Sequence, residues 1–152
     1  MKKILFVCTG NTCRSPMAEA LFRLRIGDEA QWEPDSAGIY ARAGSPASAN
    51  AVQALEELGV DLSGHRSKPL SPGLVESADL IVAMTEGHRF EILQRFPEVG
   101  NRVSLLKSFG TSKVPADIAD PFGGSLDIYK KTRDEIDRSL SDLVLFLRTG
   151  NP

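Results

Sequence analysis

Cys8 and Arg14 stand with five residues between them in the stretch Val7-Cys8-Thr9-Gly10-Asn11-Thr12-Cys13-Arg14-Ser15-Pro16. A cysteine attacks as thiolate, and inward-facing backbone amides, a helix N-terminus and a nearby guanidinium all favour that charged form. A loop joining a strand to a helix supplies the first two and wraps an anion. Cys8 is therefore the candidate nucleophile. Arg14 has the planar fork that holds two phosphoryl oxygens and the charge they gain in the transition state. Thr9, Gly10, Asn11, Thr12 and Cys13, with Arg14, make up the candidate phosphate-binding set. Gly10 is expected to relieve a tight turn and Asn11 to accept a left-handed backbone. Ser15 is expected either to cap the helix or to give its hydroxyl to the Cys8 sulfur, and Pro16 suits the first helical position.

A group leaving phosphorus needs a proton, which a carboxylic acid on a loop can deliver. Asp117 and Asp120 lie within residues 114–124, where two prolines and two glycines argue for a loop crossing the surface. Spacing alone leaves both carboxyls open.

The elements that must position these groups alternate. Ile4-Leu5-Phe6-Val7 reads as a strand ahead of the loop. Behind it, Met17, Ala20, Leu21 and Leu24 form a helical stripe, with Gly27 as the stop. Residues 31–38 read as a second strand, which Pro34 assigns to a sheet edge. Ser45-Pro46 opens a second helix with Ala51, Leu55 and Leu58 on one side and Gly59 as its end. Residues 63–68 form a polar loop holding His65. The apolar run at 80–84 is a strand buried on both faces, and Thr85 caps the helix that follows, up to Pro97. A fourth strand covers residues 102–106, with Val103 and Leu105 on one face. The last helix, residues 125–148, packs through Tyr129, Ile136, Leu140, Leu143 and Leu147. His88 reads as an ordinary structural histidine. The alternation specifies an α/β fold, a parallel sheet covered on both sides, with ligands bound beyond the carboxyl ends of its strands. Cys8 sits at such an end.

A chain of 152 residues with a formal charge of -2 is expected to form one domain, 1–152, without the basic footprint of a nucleic-acid or membrane-surface binder. The apolar run at 4–8 is too short for a signal peptide and none reaches transmembrane length, so the expected location is cytoplasmic. Both cysteines lie in the loop, which argues against a disulfide framework. A metal site is not expected either. Cys8 and Cys13 would need two further ligands, and the two histidines, His65 and His88, lack paired spacing. Two readings of Cys13 stay open: a thiol that condenses with a Cys8 sulfenate, or a residue packed behind the loop.

The stretch from Cys8 to Ser15, with Asp120-Pro121 far downstream, resembles the low-molecular-weight protein tyrosine phosphatases, and more closely their bacterial protein-arginine phosphatase branch. The resemblance extends to Ser36-Ala37-Gly38, Ala78-Asp79-Leu80 and Asp120-Pro121-Phe122-Gly123-Gly124. It implies a single three-layer domain with a four-stranded parallel sheet in the order 2-1-3-4 and helices on both faces. It implies a monomer without cofactor, acting on phosphorylated proteins. It implies Asp120 as the acid, with Asp117 the alternative, and it implies that Ser36 and His65 hold Asn11 in its strained conformation.

Tyrosine phosphatases of this family carry a bulky aliphatic residue where Thr12 stands, and aromatic residues beside the acid. Here the acid is followed by Phe122-Gly123-Gly124, so Thr12 and Phe122 are the expected selectivity residues. Threonine in the loop is the pattern of the arginine branch. A phosphoguanidine carries a planar cation-forming group that a carboxylate can hold with two bonds, so Asp120 could both orient it and help it leave. The alternative is a tyrosine phosphatase. Thioredoxin-coupled arsenate reductases with a similar loop need further cysteines downstream, and none follows Cys13.

Overall fold

The computed structural model describes residues 2–110 and 117–150. Four strands, β1 (Lys2–Cys8), β2 (Trp32–Gly38), β3 (Leu80–Ala83) and β4 (Val103–Leu105), alternate with five helices. These are α1 (Arg14–Ile26), α2 (Ala49–Glu56), α3 (Pro72–Ser77), α4 (Glu86–Arg95) and α5 (Leu126–Thr149). The sheet runs β2-β1-β3-β4 with every pair parallel. This is the expected order, with Pro34 on the edge strand, where its missing N–H costs no ladder bond.

Side chains alternate across a pleated strand, and β1 divides its apolar residues accordingly. Ile4, Phe6 and Cys8 join a core with Met17, Ala18, Leu21 and Phe22 of α1 and Ile136, Leu140 and Leu143 of α5. Leu5 and Val7 join the opposite core with Val75 of α3 and Ile92 of α4. The result is three layers, with α2 resting on α5. Phe6 is fully buried with its ring centroid 5.6 Å from that of Phe22, so truncating it to alanine should cost about 3–5 kcal/mol.

Several local expectations shift. The buried stripe of α1 is Met17, Ala18, Leu21 and Phe22, while Leu24 is exposed, because α1 packs on both the sheet and α5 and must bury a wider arc than one stripe. The second helix starts after Ser48, not at Ser45-Pro46, because the Ser45 backbone bonds Ser67 in both directions and is committed to that loop. Leu58 lies past its end and is exposed. Helix α3 was not anticipated: six residues opened by Ser71, whose side chain accepts from the Leu74 N–H, are too short to display a period. Helix α4 stops at Arg95, two residues before Pro97. The fourth strand is only Val103–Leu105, since 3-10 turns at Pro97–Arg102 and Leu106–Phe109 take both flanks.

Thr85 caps α4 by accepting from the His88 N–H, and Ser125 caps α5 by accepting from the Ile128 N–H. Among the described residues no helix is long and apolar enough to cross a membrane. Of the loop read at 114–124, residues 114–116 lie outside the described residues.

Candidate active site

Register brings the site together. Cys8 ends β1 opposite Gly38 of β2, and Val7 pairs with Ala83 of β3, so three strands end at one edge. The loop leaving Cys8 is tied outward by its carbonyls. Thr9 O accepts from the Tyr40 N–H at 2.9 Å, Asn11 O lies 2.7 Å from His65 Nε2, and Thr12 O accepts from the Ser48 N–H at 2.9 Å. In a trans peptide the N–H points opposite to the carbonyl, so the amides of Gly10, Thr12 and Cys13 face the concave side. That concavity is a pocket lined by Cys8, Thr9, Gly10, Thr12, Cys13, Arg14, Asp120 and Phe122.

Behind the pocket Asn11 organises the loop. Its φ of 56° is the single positive value for a non-glycine among the described residues. Its Nδ2 donates to Ser15 Oγ at 2.8 Å and to Ser36 Oγ at 3.0 Å, and its Oδ1 accepts from the Lys68 N–H at 3.0 Å. Ser36 in turn donates to Glu19 at 2.7 Å. Because Ser15 accepts from Asn11, its own hydrogen is left for Cys8 Sγ at 2.9 Å, with the Ala37 carbonyl the more distant acceptor at 3.5 Å.

Of the two roles considered for Ser15, the contact with sulfur is the observed one. Helix α1 begins at Arg14, with Cys13 in the capping position and no side-chain cap, so Ser15 is already helical and Pro16 is its third residue. The expectation for Gly10 also changes. Its φ is not positive, and a Cβ there would meet nothing closer than Thr12 Oγ1 at 3.7 Å. The glycine on which the loop depends is Gly38: a Cβ would stand 2.6 Å from Thr9 O and 2.8 Å from the Asn11 nitrogen.

Arg14 is buried and donates to the Ile118 carbonyl at 2.8 Å, while its other guanidinium nitrogen lies 3.7 Å from Asp120 Oδ2. Ile118 N–H is bonded to Met84 O at the end of β3, which fixes the segment carrying Asp120. Asp120 stays half exposed and accepts from the Phe122 N–H at 3.0 Å. Asp117 does something else: it accepts from the Glu86 N–H at 2.8 Å, at the start of α4. Phe122, mostly exposed, stands at the pocket wall. Cys13 Sγ lies 3.2 Å from the Tyr129 hydroxyl and 3.5 Å from Ser48 Oγ. Burial pushes the Tyr129 phenol up to about 12, aided by its bond to Cys13.

His88 has a place here that sequence reasoning did not assign. Its Nε2 is 2.8 Å from Thr9 Oγ1, and burial, helped by the positive charge of Arg14, pushes its pKa down to about 4 against the pull of Asp120 and Asp117. The available signal was its position in the first turn after β3, at the sheet edge where β1 also ends. Glu19 and Lys68 were missed because their contacts to the Asn11 network come from elements distant in sequence. Among the described residues no three His, Cys, Asp or Glu side chains cluster to hold a metal ion.

A nucleophile-bearing anion loop at the carboxyl edge of a parallel sheet, with an arginine closing it and a carboxylate across the pocket, is the construction of a cysteine-dependent phosphatase. The chain belongs to the low molecular weight phosphotyrosine protein phosphatase family, whose profile matches residues 3–150. It is 47% identical over 146 residues to a protein-arginine-phosphatase of Bacillus subtilis, covering 95% of this chain and 96% of that one. The solved structure of an arginine phosphatase from Geobacillus stearothermophilus superposes with a TM-score of 0.91 at 43% identity, covering 99% of this chain and 95% of that one. Another arginine phosphatase structure, a Cys-to-Ser variant with a phosphorylated active-site serine, gives a TM-score of 0.91 at 45% identity and covers 97% and 96%.

Proposed function

We propose that this chain is a cytoplasmic, monomeric protein-arginine phosphatase, acting as one domain over residues 1–152 on phosphorylated proteins. The observation that carries this reading is the convergence of Cys8, Arg14 and Asp120 on one pocket walled by Thr12 and Phe122. The likeness to arginine phosphatases supports the choice of substrate. That both cysteines lie in the loop, with no disulfide framework elsewhere in the sequence, supports a reducing compartment.

In the cycle, the Cys8 thiolate attacks phosphorus in line while Arg14 and the loop amides hold the equatorial oxygens. The phosphorus–nitrogen bond breaks, its electron pair goes to the departing guanidine nitrogen, and Asp120 donates the proton that nitrogen takes. A cysteinyl-phosphate results. The relative that carries phosphate on serine at its active site supports such an intermediate. Asp120, now a carboxylate, removes a proton from the water that releases phosphate from Cys8. Ser15 supports the sulfur, and Asn11, Ser36 and His65 support the loop. Arg14 and the amides supply the positive charge, so this cycle requires no cofactor or metal. Cys13, packed against the Tyr129 hydroxyl and Ser48, either backs the loop or condenses with a Cys8 sulfenate formed by a peroxide, giving a disulfide and water.

The test compares kcat/KM on matched phosphoarginine and phosphotyrosine peptides for the wild type and Thr12→Ile. Each tenfold ratio is about 1.4 kcal/mol of differential transition-state binding. The wild type should prefer phosphoarginine and Thr12→Ile should erode the preference. A wild-type preference for phosphotyrosine would leave the mechanism standing and overturn the substrate.

A further inference from the structure

His88 and Thr9 form a contact that the cycle above does not use. His88 is the third residue of α4, and its backbone N–H, held by Thr85 Oγ1 at 3.1 Å, fixes the turn from which the imidazole reaches the loop. The residue is 8% exposed. Nε2 meets Thr9 Oγ1 at 2.8 Å, whereas Nδ1 is buried with no hydrogen-bond partner. A neutral imidazole has one proton to place. On Nδ1 it would be an orphaned buried N–H, the rarer and costlier omission, while a bare Nδ1 lone pair is the milder one. The proton therefore belongs on Nε2.

That choice has a consequence for the pocket. If Nε2–H donates, Thr9 Oγ1 is an acceptor toward His88 and its own hydrogen must point elsewhere. Thr9 lines the anion pocket. We propose that His88 is a positioning residue that turns the Thr9 hydroxyl hydrogen into the pocket, making the Thr9 side chain a phosphate donor beside the loop amides. The proposal rests on reading the loop as a phosphate site.

Inorganic phosphate is the probe, used as a competitive inhibitor of peptide dephosphorylation by the intact chain. Thr9→Val and His88→Phe should each raise its Ki about tenfold, the worth of one hydrogen bond to a charged group. The double variant should be no worse than either single one, and His88→Gln, whose side-chain amide can donate from the Nε2 position, should recover most of the loss. A merely structural His88 would lower thermal stability without this non-additivity. Unchanged Ki in Thr9→Val, or a double variant near a hundredfold, overturns the proposal. If His88→Phe does not fold, Thr9→Val and His88→Gln decide it alone. A wild type that turns over phosphopeptide and is inhibited by phosphate while Thr9→Val matches it sinks only this inference. A wild type with neither property sinks the phosphate-site reading and this proposal together.

Discussion

His65 Nε2 lies 2.7 Å from the backbone carbonyl of Asn11, the residue whose φ of 56° bends the loop around the pocket. A left-handed non-glycine backbone costs about 1–3 kcal/mol and persists only when its surroundings hold it. Here the hold comes from His65 on the carbonyl, Ser36 and Ser15 on the amide nitrogen, and the Lys68 N–H on the amide oxygen. His65→Ala should lower kcat/KM about tenfold while thermal melting stays cooperative. Unchanged kinetics would mean that the side-chain bonds of Asn11 suffice.

The two aspartates separate by what they touch. Asp120→Asn removes the proton donor and should lower kcat by roughly 10²–10⁴ while phosphate inhibition persists. Asp117→Ala removes the acceptor at the Glu86 N–H and should cost about 1 kcal/mol in urea unfolding, with kcat little changed. A large kcat loss in Asp117→Ala would reverse the assignment of the acid.

Gly38→Ala places a methyl group against backbone atoms of the loop, which cannot swing aside as a side chain would. The expected cost is about 1–3 kcal/mol, read as a lower denaturant midpoint, together with weaker phosphate inhibition as Thr9 and Asn11 are displaced. Gly10→Ala should differ: little stability change, but an added methyl group on the pocket lining, and so a raised Ki.

Burial of neutral His88 makes stability depend on pH. The folded state resists protonation down to about pH 4, whereas the unfolded chain takes up its proton near 6.5. Between those values the unfolded state binds more protons, so stability should fall as pH drops from 6.5 to 4 and this contribution should level off below. Arg14 deepens the effect while Asp120 and Asp117 oppose it. The loss is at most about 3 kcal/mol. Urea midpoints across this range should show it in the wild type, and His88→Gln should flatten the slope.

Much of the fold was legible because its signals are local. The apolar run at Ile4 to Val7, the cap at Thr85 and Pro34 on an edge strand all act within a few residues. Boundaries failed where distant contacts override local preference, as when Ser67 holds Ser45 and delays α2 to Ala49. Leu24 fits a helical period, yet its helix buries Ala18 and Phe22 instead, because those two join the core that the sheet and α5 share.

For the site, chain-local chemistry determined the loop: a cysteine and an arginine at the span of one anion cradle, an asparagine able to turn left-handed, and a serine able either to cap the helix or to reach the sulfur. Those depend on residue type and short spacing, which primary structure carries in full. Tertiary structure alone decided which aspartate faces the pocket, that Gly38 rather than Gly10 makes room for the loop, and that His88 meets Thr9 across a separation of 79 residues. Each of these is a distance between elements that only sheet register and helix packing bring together.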